Sequence, residues 1–471
     1  MSLNQLYKLP RKGVCRTDFL CVTLRLGASA VSFFPGIHRR DAKAQRNAET
    51  LLRPTPKGRT TNTRVVCACV LLFIAFPQIV LGGKDAETRA LWVVRSSLTS
   101  PEAIKQLVSR ATGGGFNTLI VQVRGRGDAY YRSRWEPRAE TLAEQKESFD
   151  PLGIVVDEAH RAGLTVHAWL NTSLVANMDE LPKSRNHPIY EHPEWLMVPR
   201  SLAAKLFVMD PRDPKYLSEI VSYSKGDRSQ LEGLYLSPAH PAVKEHLYSI
   251  WIDVLERYDV DGMHFDYVRY PNVGFDYSRV ALERFRFLID KTISEGERKV
   301  LASVAERDPL VYANAFPDRY AQFQRDQVTE IVERIHHGVK KRKPKVMISA
   351  AVFANDDDAF TNRFQDWKLW LRQGLIDVAC PMAYTPDTEI FRKQITVAVG
   401  NAAGREVWAG IGAYRIPPES TIEKIRVARE LGARGFVLFS YDSLVKRSES
   451  NPADDYMLKI KQVVLGSERK P

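Results

Sequence analysis

The stretch "DGMHFDYVRYP", Asp261 to Pro271, alternates Met263 and Phe265 with His264 and Asp266, the period-two pattern of a strand with two unlike faces. The segment before it is an amphipathic helix, with Val243, Leu247, Ile250, Val254 and Tyr258 on one face. A strand entered from such a helix belongs in a parallel sheet covered on both sides, so Asp266 puts an ionisable carboxylate on a buried strand. A buried charge must be paired or must open into a site. Pairing with Arg269 or Arg124 is the structural explanation; acid–base or nucleophilic chemistry is the functional one. Strand parity groups other chemistry-bearing side chains in the same way: His167, Trp169 and Asn171 on one strand, Gln122 and Arg124 on another. Asp128 follows the second of these in "RGRGDAYY", and Tyr384 follows a later strand in "PMAYT". His264 and His167 with Asp266 would suit zinc, but the H-x-H and H-E-x-x-H spacings are absent, so no metal and no cofactor is expected.

The elements that must position these residues alternate from Ala90 onward. Strands are predicted at Ala90–Arg95, Asn117–Arg124, Leu164–Asn171, Gly262–Asp266, Val346–Phe353, Ile376–Tyr384, Val407–Tyr414 and Gly435–Asp442, with helical segments between them. Eight strand–helix alternations predict an α/β fold, a (β/α)8 TIM barrel over about residues 86–460. Long insertions after the third and fourth strands, Thr172–His240 and Pro271–Arg325, should wall a cleft at the C-terminal face, where such barrels build their sites.

Formal net charge is +12, which suggests nucleic acid until it is divided. Residues 1–82 hold 13 Lys+Arg against 3 Asp+Glu, leaving only +2 for the rest, so no nucleic-acid partner is expected. Cys15, Cys21, Cys67 and Cys69 fall in the same segment, and Cys380 alone lies in the barrel region. Residues 65–82, "VVCACVLLFIAFPQIVLG", form an uncharged apolar run after Arg59 and Arg64, the grammar of a signal-peptide core or membrane anchor. Residues 1–64 then form a basic, disordered segment or precede the true start. Export to the periplasm, cell envelope or medium is expected either way.

"RALWVVR", "TLIVQVRGRGDAYYRS", "HAWLN", "HPEW", "LSPAHPAV", "DGMHFDYVRYP", "DWKLWLRQGLIDVACPMAY" and "GFVLFSYDSL" together resemble the glycosyl hydrolase-like 10 family of exported bacterial barrels, in order over about residues 88–445. The fourth strand is more distantly similar to the family 18 chitinase pattern DGxDxDxE, with Asp261, Gly262 and Asp266 in register but His264 in place of an Asp and Val268 in place of the catalytic Glu. The resemblance implies a glycoside hydrolase acting on a bacterial envelope or extracellular polysaccharide, such as peptidoglycan glycan strands. Such chemistry needs two carboxylates across a sugar. Asp266 suits the attacking or stabilising role; Asp128 and Asp442, with Asp356, Asp357 and Asp358 behind them, are candidates for the acid. Arg124, His167, Trp169, Asn171, His264, Arg269, Tyr270 and Tyr384 are the candidate substrate-binding residues, with Arg126 able to read an acidic substituent. Two other functions remain open: a glycan-binding barrel without turnover, and a metal-assisted glycan deacetylase.

Overall fold

The computed structural model describes residues 87–450 and 455–464; the basic segment 1–64 and the apolar run 65–82 lie outside them. Ten strands are present: β1 (Thr88–Val93), β2 (Thr118–Arg124), β3 (Thr165–Asn171), β4 (Leu174–Ala176), β5 (Leu234–Tyr235), β6 (Gly262–Asp266), β7 (Met347–Val352), β8 (Val378–Pro381), β9 (Glu406–Ile411) and β10 (Gly435–Phe439). Eight of them close a parallel barrel in the order β1-β10-β9-β8-β7-β6-β3-β2, and β4 and β5 pair antiparallel as a separate ribbon. The (β/α)8 barrel expected from the sequence is therefore the fold.

Two apolar layers follow from strand parity. Outward residues such as Met263 and Phe265 join the large cluster between strands and helices, where Phe265 lies 4.0 Å from Trp251 of the helix Pro241–Arg257. Inward residues Trp92, Ile120, Trp169, Cys380, Trp408 and Val437 fill the barrel interior. Large inward rings need small neighbours: a Cβ on Gly262 would meet the His167 imidazole at 2.4 Å, so glycine at this register makes room for the ring.

Helix starts are written locally. Ser100, Asp150 and Asp213 accept hydrogen bonds from backbone N–H groups of the helices they cap, each followed by proline in the first turn. The insertion after β3 carries the β4–β5 ribbon, and β4 continues from β3 so that Thr172 N donates to Asp266 O. The insertion after β6 forms helices Arg279–Asp290, Glu295–Ala305 and Val311–Ala315, with a small apolar core of its own around Phe285, Tyr320 and Phe323.

Candidate active site

At the C-terminal ends of the strands a cavity of about 730 Å³ opens, walled by Trp92, Trp169, Tyr267, Phe353, Tyr384 and Phe439 and carrying Asp266, Glu232, Arg95, Arg126, Arg269, Gln122 and Asn171. Asp266 ends β6 opposite Asn171 of β3. Its Oδ1 accepts the Tyr267 N–H at 2.7 Å, and Tyr267 itself is left-handed (φ 49°), turning the chain at the strand end. The carboxylate has no ion-pair partner among the described residues. Burial raises it to about 6, against the opposing pull of that amide and of the Arg269 charge.

Glu232 is the second carboxylate of the cavity. It sits just before β5, accepts from Arg269 Nη2 at 2.9 Å and from the Tyr235 hydroxyl at 2.5 Å, and stays partly open to solvent. Burial pushes its carboxyl up, but Arg269 and Tyr235 outweigh that and hold it below the ordinary glutamate value. Arg269 is buried against the rings of Tyr267 and Phe353, 4.7 and 5.0 Å from its guanidinium carbon. Two carboxyls of one cavity are thus driven in opposite directions, which is how a protein separates an acid from an anion at one pH.

Of the residues singled out from sequence, Gln122, Arg126, Trp169, Asn171, Asp266, Arg269 and Tyr384 line this cavity together. Trp169 Nε1 donates to Asn171 Oδ1 at 2.9 Å, and Asn171 Nδ2 donates to Gly125 O at 2.8 Å, fixing both side chains. Tyr384 stacks on Phe439 at 5.4 Å, and burial followed by the charge of Asp266 raises its hydroxyl well above the usual tyrosine range.

The others lie elsewhere, each for a definable reason. Arg124 leaves the interior because the β2–β3 register shifts between Gln122 and Arg124; the bulge carries its side chain out of the face it would share with Gln122. There it forms a fully buried fork with Glu136 (2.8 and 2.7 Å), not with Asp128 or Asp266, and also donates to the Asn171 and Thr172 carbonyls. Asp128 is absent from the cavity wall; its Oδ1 accepts the Arg126 N–H at 2.8 Å within its own turn. Asp442 lies in the first turn of the helix Tyr441–Ser450 and accepts from Val94 N, Ser96 Oγ and Ser97 Oγ, so it pins the loop after β1. Asp356 to Asp358 open the short helix Asp356–Thr361, where Asp356 pairs with Lys368 and Asp358 with Arg363.

His264 lies below the cavity floor, fully buried. Its Nε2 accepts the Trp92 indole N–H at 3.1 Å and its Nδ1 meets Ser349 Oγ at 2.8 Å, so both ring nitrogens are engaged and burial holds the ring neutral. His167 approaches the same Ser349 hydroxyl at 3.3 Å and is lowered to about 4 by burial. Tyr270 packs edge-on to Phe364 at 5.1 Å, outside the cavity.

The glycosyl hydrolase-like 10 family profile matches residues 87–225 and 218–425, most of the chain and every cavity-lining residue except Phe439 of β10. This chain belongs to the glycosyl hydrolase-like 10 family. It is 23% identical to the glycosyl hydrolase YngK of Bacillus subtilis (strain 168) over 346 residues, 66% of this chain and 56% of that protein. It is also 23% identical to the glycosyl hydrolase DigH of Escherichia coli (strain K12) over 341 residues, 66% of this chain and 65% of that one. The match therefore spans less than two thirds of these relatives. Among solved structures, the glycoside hydrolase domain of PgaB (BpsB) from Bordetella bronchiseptica superposes with a TM-score of 0.53 at 16% identity, over 79% of this chain and 99% of that one. The α-L-fucosidase isoenzyme 2 of Paenibacillus thiaminolyticus superposes with 0.51 at 15% identity, over 81% and 50%. At these identities the likeness is one of fold.

Proposed function

We propose that this protein is a glycoside hydrolase whose general acid is Asp266. Membership of a glycosyl hydrolase-like family and the barrel architecture support a glycan-acting hydrolase. The observation that carries the finer reading is the pair of carboxyls in one aromatic-walled cavity: Asp266 buried, without an ion-pair partner among the described residues, raised to about 6, and Glu232 held ionised by Arg269. A carboxyl protonated near pH 6 can give its proton to a leaving glycosidic oxygen, and an ionised carboxylate nearby can stabilise or attack the anomeric centre. In this proposal Asp266 takes the acid's role and Glu232 the attacking or stabilising one, an exchange of the roles expected from strand position.

Sugar rings would stack on Tyr384, Trp169 and Tyr267, and Arg269 would keep Glu232 oriented. The substrate proposed is a bacterial envelope or extracellular polysaccharide, of the kind represented by peptidoglycan glycan strands or a related amino-sugar chain. Export through the 65–82 run belongs to the same proposal. The test is release of reducing ends from peptide-free peptidoglycan strands and a panel of other glycans by the purified protein, with Asp266→Asn as the control. Turnover by the parent protein that is lost in the variant supports the reading; absence of turnover on every glycan removes it.

One observation favours a barrel that binds glycan without cutting it. Glu232 already has both a guanidinium and a phenol on its carboxylate, which leaves it less free to act on a sugar. Binding without turnover, equal in Asp266→Asn and parent protein, is the result that reading requires.

A further inference from the structure

Two of the three guanidiniums in the cavity have no carboxylate. Arg269 is neutralised by Glu232, but Arg95, on the loop after β1, and Arg126, on the loop after β2, make no ion pair among the described residues. Their partners are neutral: Arg95 Nη1 donates to Gln122 Oε1 at 3.4 Å and the guanidinium also meets the Tyr130 hydroxyl, while Arg126 Nη1 donates to the Glu232 backbone carbonyl at 3.3 Å. A guanidinium has five N–H donors, so most of those in this pair of cavity-lining side chains are left without a protein acceptor. Asp128 offsets the Arg126 charge only from a distance: its Oδ1 accepts the Arg126 backbone N–H at 2.8 Å, and it forms no ion pair with either guanidinium among the described residues.

The arrangement is held in place from behind. Asp442 clamps Val94, Ser96 and Ser97, the residues flanking Arg95. A Cβ on Gly125 would lie 1.8 Å from Arg95 Nη1 and 2.4 Å from Cζ, so the Arg95 guanidinium lies directly against the Gly125 backbone. The mutual repulsion of the two charges contributes, after burial, to lowering Arg126 below the ordinary arginine value. Like charges brought together without an ion-pair partner at the wall of a substrate cavity are stabilised when the ligand supplies the anion.

We propose that Arg95 and Arg126 form a subsite that reads a carboxylate on the sugar chain, making the substrate an acidic glycan. The proposal rests on the glycan-acting reading above and adds the substituent recognised. A carboxylate can reach the pair from a lactyl ether on an amino sugar or from the ring carbon of a uronic acid; the chemistry shared is a planar anion facing two guanidinium forks.

The experiment measures binding by calorimetry to the full-length Asp266→Asn protein, so that no probe is consumed. The probes are a peptide-free amino-sugar tetrasaccharide bearing lactyl carboxylates, a uronic acid tetrasaccharide, and the methyl ester of each. At least one acid should bind tenfold or more tightly than its ester, and which of the two does so identifies the source of the carboxylate. Arg95→Gln with Arg126→Gln should bring that ratio below about twofold. Gly125→Ala displaces the Arg95 guanidinium while keeping its charge, and should weaken the preferred acid at least threefold with its ester unchanged. Equal binding of acid and ester, no binding of any probe, or discrimination surviving in the double variant would overturn the subsite, and full discrimination in Gly125→Ala would overturn the position given to Arg95. If cleavage instead fails with every glycan while the acid preference stands, the hydrolase reading falls and the subsite remains.

Discussion

Asp266 and Glu232 titrate in opposite senses, and each sense has a stability consequence. The Asp266 carboxyl is raised from 3.8 to about 6 in the folded protein, so the native state holds its proton more tightly than the unfolded chain does. Its contribution is fully present below the unfolded value and is lost as pH rises towards 6. Asp266→Asn should therefore stabilise the protein at pH 7–8, by up to about 3 kcal/mol at ~1.4 kcal/mol per pK unit, and the gain should shrink to about 0.5 kcal/mol at pH 4. Calorimetric melting at both pH values checks this; a loss of stability at pH 7 would reveal a cation partner for the carboxylate. Glu232 behaves in reverse: its folded value is depressed, so its stabilisation is present above 4.5 and is lost as pH falls through the folded value. Glu232→Gln leaves the buried Arg269 without its carboxylate and should cost about 1–3 kcal/mol at neutral pH, discounted from the fully buried case because Glu232 is partly solvated. Urea unfolding of this variant at pH 7, with a cost near zero, would contradict the pairing. The alternation around Asp266 made that residue legible in the sequence. Asp128 and Asp442 were legible only as strand-end acids, because nothing in a sequence shows that a short carboxylate folds back onto nearby backbone amides and hydroxyls.

At the scale of elements, the bulge in β2 decides what Arg124 does. Parity placed it beside Gln122 on the inner face, and one extra residue in the β2–β3 pairing removed it to a buried fork with Glu136, itself touched by His246 Nε2 at 3.2 Å. A bulge leaves no mark in hydrophobic period, so this was not readable. Arg124→Met should strand Glu136 in the interior and destabilise by about 3–5 kcal/mol, while kcat/KM of the folded fraction changes less than about twofold. A raised KM at unchanged melting temperature would return Arg124 to the substrate. The β4–β5 ribbon has the complementary lesson. Glu232 lies in "DRSQLEGLYLS", a stretch without periodicity, and reaches the cavity only because the ribbon folds the insertion back over the ends of β3 and β6. Neither its sequence distance from Asp266 nor its neighbours announce the encounter.

For the whole molecule, the eight barrel strands were legible because they are apolar runs set off by helix caps such as Ser100 and Asp150 and, in several cases, by a glycine, and their observed order follows the chain with only the β4–β5 ribbon interposed. Closure then puts every strand's C-terminal end on one rim, which is why residues as far apart as Trp92, Asp266 and Tyr384 wall one cavity. Export is the proposal for the segment before the barrel, and N-terminal sequencing of protein recovered from the cell envelope or medium should find a start beyond the 65–82 run, or the run retained in the membrane fraction; an unprocessed cytoplasmic protein would contradict it. The central claim is that Asp266 donates the proton to a leaving sugar. The most direct measurement is the pH dependence of kcat/KM for reducing-end release from peptide-free peptidoglycan strands, or whichever glycan of the panel is cut fastest, by parent protein and Asp266→Asn. The account predicts an alkaline limb with its midpoint near 6 in the parent protein, and a fall of about 10²–10⁴-fold in a variant that melts no lower. An Asp266→Asn protein that keeps the parent's rate, or the same alkaline limb, would contradict it.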